Sequence, residues 1–168
     1  AYWKKQDGVM TSGSYCSNEE RNEVRIAEVN NITYTMLNYT YGTNGIALPE
    51  DMPFAVNLLE EEKVVADIKK AEELADFTIV CPHWGTEYEL LHSEQQKMTA
   101  MWLVEQGADL IIGCHPHVVQ DTTMIDGVPV AYSLGNLVSN MSAPNTQIGL
   151  MITVRYIRKN NGDIKMLP

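Results

Sequence analysis

The sequence predicts an α/β fold built on a mixed sheet, and three observations carry that expectation. Two short apolar runs, DFTIVCPHWG at 76–85 and DLIIG at 109–113, are each closed by glycine. Wholly apolar runs of this length mark parallel strands covered on both faces. Amphipathic helical patterns alternate with them, and β-branched or aromatic runs near both ends of the chain have the look of antiparallel hairpins.

Residues 24–29 (VRIAEV) alternate apolar and polar and read as a half-exposed strand. Asn30 and Asn31 turn the chain into a β-branched, aromatic strand at 32–40. The stretch 41–53, with Gly42, Gly45 and two prolines, has neither period and reads as a loop. Over 58–75, Val64, Val65, Ile68, Ala71 and Leu74 fall at helical spacing. After the 76–85 strand, Ser93 and Gln96 form a capping box that opens a helix over 94–106, and Gly107 stops it. Beyond the second apolar strand, 118–136 reads as two strands joined at Asp126 and Gly127. Residues 148–158 and 163–167, separated by KNNG, read as a closing hairpin. No internal boundary is visible, so 1–168 reads as a portion of a single domain.

With 12 basic and 22 acidic residues the net charge is −10, which argues against a nucleic-acid partner. No apolar run approaches the ~18–20 residues that span a bilayer, and no signal-peptide pattern is present. The opening AYWKKQDGVM has no initiator Met and reads as the exit of a helix. The expectation is a piece of a longer chain, whose targeting segment would lie upstream. Cys16, Cys81 and Cys114 form no CxxC and predict no disulfide framework. The N-x-S/T triplets at Asn31, Asn38 and Asn140 are read as chance in a chain rich in Asn and Thr.

Three of the four histidines follow the apolar strands: His83 in CPHWG, and His115 and His117 in GCHPH. Sites in parallel α/β sheets collect at the carboxyl ends of strands. In extended backbone, residues two apart point to one side, so HPH would present two imidazoles together. Gly85 and Gly113 permit tight turns and close approach. A lone strand-end histidine is usually structural, but the two junctions together point to a metal site; His92, beside the helix cap, reads as structural. A Cys₂His₂ zinc site using Cys81 and Cys114 competes. Against it, Cys81 lies in an apolar strand, and the adjacent Cys114 and His115 would face opposite ways.

HWGTEYELL, GADLIIGCHPHVVQ and YSLGN together, with the intervening Gln and with LNYTYGTNG at 37–45, resemble the capsule-biosynthesis CapA family, linked to bacterial poly-γ-glutamate synthesis. That family in turn resembles the calcineurin-like metallophosphoesterases. The resemblance implies an α/β sandwich with mixed sheets and two metals at the strand ends. It implies His83, His115 and His117 as metal ligands, the last two contributing one imidazole to each ion. It places Glu87, Tyr88 and Asn136 near the pocket. The family's GD-x-M and NNH segments are absent, so the N-terminal part of the fold and about half of the ligands are expected to be missing. The cofactors implied are divalent ions of the Mn, Fe or Zn type, incompletely bound here. The activity implied is metal-assisted hydrolysis of a phosphate ester; the rival is a non-catalytic, membrane-anchored assembly factor of the same fold. The partner implied is the capsule polymer or its synthesis and export machinery, at the cell surface.

Overall fold

The structure is a computed structural model that describes residues 2–167. A single 3-10 turn, Trp3–Lys5, and the short helix α1 (Asn18–Arg21) precede the sheet. Strands β1 (Ala27–Val29) and β2 (Ile32–Thr40) form an antiparallel hairpin. Asn30 and Asn31 both take positive φ, as a two-residue turn matched to strand twist requires. Then come α2 (Glu61–Leu74), β3 (Phe77–His83), α3 (Glu94–Gln106) and β4 (Leu110–Ile112). The hairpin β5 (Thr122–Ile125) and β6 (Val128–Ala131) turns at Asp126 and Gly127. The sheet order is β1-β2-β3-β4-β6-β5, with β2, β3, β4 and β6 parallel and the two outer strands antiparallel. Strands β7 (Arg155–Arg158) and β8 (Ile164–Leu167) make a separate two-stranded sheet.

The helix α3 begins and ends where the sequence predicts. Ser93 and Gln96 form the reciprocal capping box, and Gly107 closes the helix in the left-handed conformation at φ 115°. The core lies between the helices and one face of the large sheet. Val64, Ile68, Ala71, Ala100 and Leu103 pack there with Leu37, Tyr39, Val80, Ile111, Val130 and Tyr132. Of the predicted α2 stripe, Leu74, the last residue of the helix, is half exposed.

Three expectations need correction. First, β1 begins at Ala27, and residues 24–26 have no strand partner. Second, 148–154 is not a strand, although its apolar alternation resembles one. Ile152 and Val154 spend that pattern on packing, lining the second face of the sheet beside Tyr34, Ile79, Leu110 and Ile112. Third, that second face is only partly covered. Tyr156 packs its ring 4.0 Å from that of Phe77, but an apolar groove of about 380 Å³ stays open. Arg158 anchors the small sheet, donating to the Asn31 carbonyl at 2.9 Å and pairing with Asp76.

At the entrance to β4, Asp109 Oδ2 accepts from the Thr78 N–H at 2.8 Å. Burial pushes this carboxyl up to about 6, with Glu72 adding to the shift and the Thr78 N–H opposing it. From the unfolded value of about 3.9 up to that point the folded state holds more protons than the unfolded one, so stability falls as pH rises through this window. Asp109→Asn keeps an acceptor and removes the ionisation. It is expected to stabilise the chain by about 1–2 kcal/mol near pH 7.5, after discounting for partial solvation, and hardly at all near pH 4. Urea midpoints at the two pH values check this; an equal gain at both would assign the effect to packing.

Candidate metal centre

Strand β3 runs beyond the last residue of β4, and the ladder between them continues to the His83–Cys114 bridge. The Cys114 N–H donates to Pro82 O at 3.0 Å, and the Trp84 N–H donates back to Cys114 O at 3.0 Å. On the other flank, the Tyr41 N–H donates to His83 O at 3.1 Å. His83 and Cys114 therefore stand side by side, with Cys114 Sγ 3.5 Å from His83 Nδ1.

The extended HPH of the sequence reading does not form. His115 has φ 106° and His117 φ 61°, both in the left-handed half of the map. Such backbone costs on the order of 1–3 kcal/mol for a residue with a side chain, and it abolishes the strand's alternation. The reversal turns the His115 ring to within 4.5 Å of the His83 ring, centroid to centroid, and leaves it 6.1 Å from His117. His83, Cys114, His115 and His117 thus share one mouth of the sheet.

Glu87 joins them from the 86–91 loop. One potential ligand atom from each of Glu87, His115 and His117 lies within 4.8 Å of the other two, and His117 Nε2 is 3.9 Å from Glu87 Oε1. His115 and His117 each bring one ring nitrogen to this group. Asn136 Oδ1 lies 2.9 Å from His117 Nδ1. The Asn136 amide donates through Nδ2 to Thr146 O at 3.0 Å, so its oxygen faces the ring and accepts the Nδ1 proton. That leaves the Nε2 lone pair directed at the cluster. Burial lowers the His83 pKa, and the neighbouring His115 and His117 lower it further. Burial also lowers that of His115, Glu87 opposing the shift and His117 adding to it. Neutral imidazole is the form that ligates metals.

Tyr88 lies at the edge, its ring 6.4 Å from that of His117, and its N–H donates to Pro116 O at 2.8 Å, tying the Glu87 loop to HPH. Gln120 Nε2 donates to the carbonyls of Glu89 at 2.9 Å and Leu91 at 3.1 Å. Its Oε1 accepts from buried Gln96 at 2.8 Å. His92 is apart from the cluster, paired with Asp121 at 2.8 Å and stacked on Tyr132 at 3.9 Å. Cys81 is partly buried in β3, its thiol pushed up to about 12 by desolvation and the nearby Cys114.

Sequence reasoning missed two residues. Tyr41 stacks over His83 at 6.0 Å and leans on His115 at 5.0 Å; its place in the LNYTYGTNG segment was the available signal. Cys114 was set aside because extended backbone would aim it away from His115, and the positive φ at His115 removes that objection.

Among solved structures, a provisionally named 5'-nucleotidase of Staphylococcus aureus, in complex with alpha-ketoglutarate, matches at 18% identity and a TM-score of 0.56, over 87% of this chain and 28% of that one. The fold is thus a calcineurin-like phosphoesterase α/β fold. The PGA biosynthesis protein CapA of Bacillus subtilis is 30% identical over 98% of this chain. The capsule biosynthesis protein CapA of Bacillus anthracis is 36% identical over 62% of it. The chain spans 43% and 25% of the lengths of those two relatives. Among the described residues no helix is long and apolar enough to cross a membrane. With the family model for bacterial capsule synthesis matching residues 2–141, the chain belongs to the bacterial capsule synthesis protein family PGA_cap.

Proposed function

We infer that this chain carries the histidine side of a metal-dependent phosphoesterase centre, working at the cell surface, membrane-associated, in the synthesis or export of a capsule polymer such as poly-γ-glutamate. The observation that carries the reading is the convergence of Glu87, His115 and His117 at the strand ends, with Asn136 directing His117. Imidazoles and a carboxylate suit a Zn, Fe or Mn-type ion. A bound divalent ion supplies Lewis acidity toward a phosphoryl oxygen and a nucleophilic water at neutral pH. The chain's own residues bind and orient: His83, His115 and His117 offer neutral nitrogens, Glu87 offers charge, and Tyr41 and Tyr88 wall the opening. With one carboxylate in it, the Glu87 cluster by itself is expected to hold a single, weakly bound ion and to turn over slowly.

The test has two parts. Chromogenic phosphodiester and monoester hydrolysis is measured with added Mn²⁺ or Zn²⁺, beside the full-length Bacillus subtilis relative. Metal affinity is measured by calorimetry for the chain and for Asn136→Ala, which should bind about 10–100-fold more weakly while keeping its fold. Unchanged affinity in that variant would overturn the assignment of His117. A second reading, a non-catalytic polymer-assembly factor, is favoured by Leu137 and Val138, both more than nine-tenths exposed directly after Asn136. Metal binding with both proteins inert toward esters would select it.

A further inference from the structure

We propose that His83 and Cys114 form a distinct sulfur–nitrogen subsite beside the Glu87 cluster, which takes a thiophilic divalent ion such as Zn²⁺ in preference to Mn²⁺. The proposal rests on the metal-centre reading above and adds to it a thiolate ligand.

The geometry is that of a coordination edge. Zn–N bonds of about 2.0–2.1 Å and Zn–S bonds of about 2.3 Å, at a tetrahedral angle, put the two ligand atoms about 3.5 Å apart. Cys114 Sγ and His83 Nδ1 are 3.5 Å apart with no ion between them. The backbone holds this spacing, because the Cys114 N–H and the Trp84 N–H lock the two strand ends in register. The His115 ring lies beside the pair, its centroid 4.5 Å from that of His83. Tyr41 lies parallel to His83 within 10°, at 6.0 Å between ring centroids.

A second observation marks the space next to this pair as a ligand cavity. His83, Cys114 and Cys81 line a pocket of about 300 Å³ whose other walls include Ser12, Ser14, Thr40 and Asn57. Asn57 is 2% exposed, and its Oδ1 has no hydrogen-bond partner among the described residues. Its amide cannot simply turn over, because Nδ2 donates to Asn38 O at 3.2 Å and to the Tyr15 hydroxyl at 3.3 Å. A buried acceptor left in this way costs about 1–3 kcal/mol, and the residue that bears it stands in the wall of the same pocket. On coordination the Cys114 thiol releases its proton to solvent, and the sulfur lone pair forms the bond to the cation. No redox partner is required. Thiolate donors select zinc-like over manganese-like ions.

Co²⁺ is the probe. Titrated anaerobically into the whole 168-residue chain with a non-thiol reductant, it should give a near-ultraviolet sulfur-to-cobalt charge-transfer band beside its visible d–d bands. Cys114→Ser should lose that band, while Cys81→Ser and Cys16→Ser keep it. In parallel, on the unaltered chain, Zn²⁺ should protect Cys114 from alkylation, mapped by mass spectrometry, where Mn²⁺ does not. Visible bands without the charge-transfer band would overturn the thiolate ligand and leave the metal centre standing. A charge-transfer band that survives in Cys114→Ser and vanishes in Cys81→Ser would overturn the assignment to Cys114. No bound Co²⁺ at all would remove both.

Discussion

Gly113→Ala is expected to cost about 2–6 kcal/mol, the sum of overpacking and a broken buried hydrogen bond, against a typical total of about 5–15 kcal/mol. A Cβ at this position would lie 2.1 Å from Tyr132 O, 2.8 Å from Tyr132 C and 2.4 Å from Trp84 Nε1. Two of those three atoms are backbone of the chain leaving β6, so nothing flexible can give way. The methyl group would also wedge apart the Trp84 Nε1 to Tyr132 O hydrogen bond, which is 2.9 Å long and buried. The glycine therefore serves the approach of an indole and a carbonyl, rather than a tight turn. Gly42→Ala is the matched control, with ordinary φ and nothing within 4 Å, and should be close to neutral. Urea midpoints of the two variants measure the difference; equal stabilities would sink the account.

His115→Gly should separate stability from metal binding. The side chain at φ 106° is held in a conformation that glycine adopts freely, while glycine's extra freedom in the unfolded chain takes back about 0.5–1 kcal/mol. The metal-free variant should thus be as stable as the original chain or up to about 1–2 kcal/mol more so. Its affinity for Zn²⁺ or Mn²⁺ should fall on the order of 100-fold or more, beyond the roughly 10–100-fold attached to a ligand's hydrogen-bond partner. Thermal melts with chelator and calorimetric titration read the two quantities. A destabilised chain that binds metal normally would mean the left-handed backbone serves packing and not the site.

The elements that could be read from sequence were those whose signals are local. The Asn30 and Asn31 turn, the Ser93 and Gln96 box, Gly107, and the β3 and β4 runs each carry their cause within a few residues. The parallel pairing of β3 with β4 followed from two apolar strands joined by one helix of crossover length, and the register Ile79↔Leu110 and Val80↔Ile111 realises it. What escaped was non-local or depended on φ. Residues 148–154 show strand alternation because they pack on a sheet face, and packing imposes the same pattern as pairing. In the site, His83 was placed beside HPH by the carboxyl ends of adjacent strands, and the His83–Cys114 bridge realises this; His115 and His117 were placed together for a reason that does not hold. Strand alternation was to align them, yet the structure aligns them by breaking it. The same break brings Cys114 and His115 to one histidine, although neighbours in a strand diverge. Asn136 was legible only as a motif letter; its hydrogen bond to His117 spans 19 positions and leaves no periodic trace.

Gln96 sits in two structures at once. Its Oε1 accepts from the Ser93 N–H at 3.0 Å to finish the start of α3, while its Nε2 reaches Gln120, which grips the loop bearing Glu87. Gly85 leaves room for that same amide: a Cβ there would lie 2.7 Å from Gln96 Cδ. The loops that bear Glu87, His115 and His117 are consequently not portable. A graft of the HWG-to-EY and HPH segments onto another parallel sheet would arrive without the helix cap that sets their spacing, and Glu87 would drift from the two histidines. Gln96→Glu, nearly identical in outline, would keep the cap on α3 but set a carboxylate against the Gln120 carbonyl oxygen, and so unsettle the loop that bears Glu87. The working unit of this protein is therefore the pair of loops together with the first turn of α3.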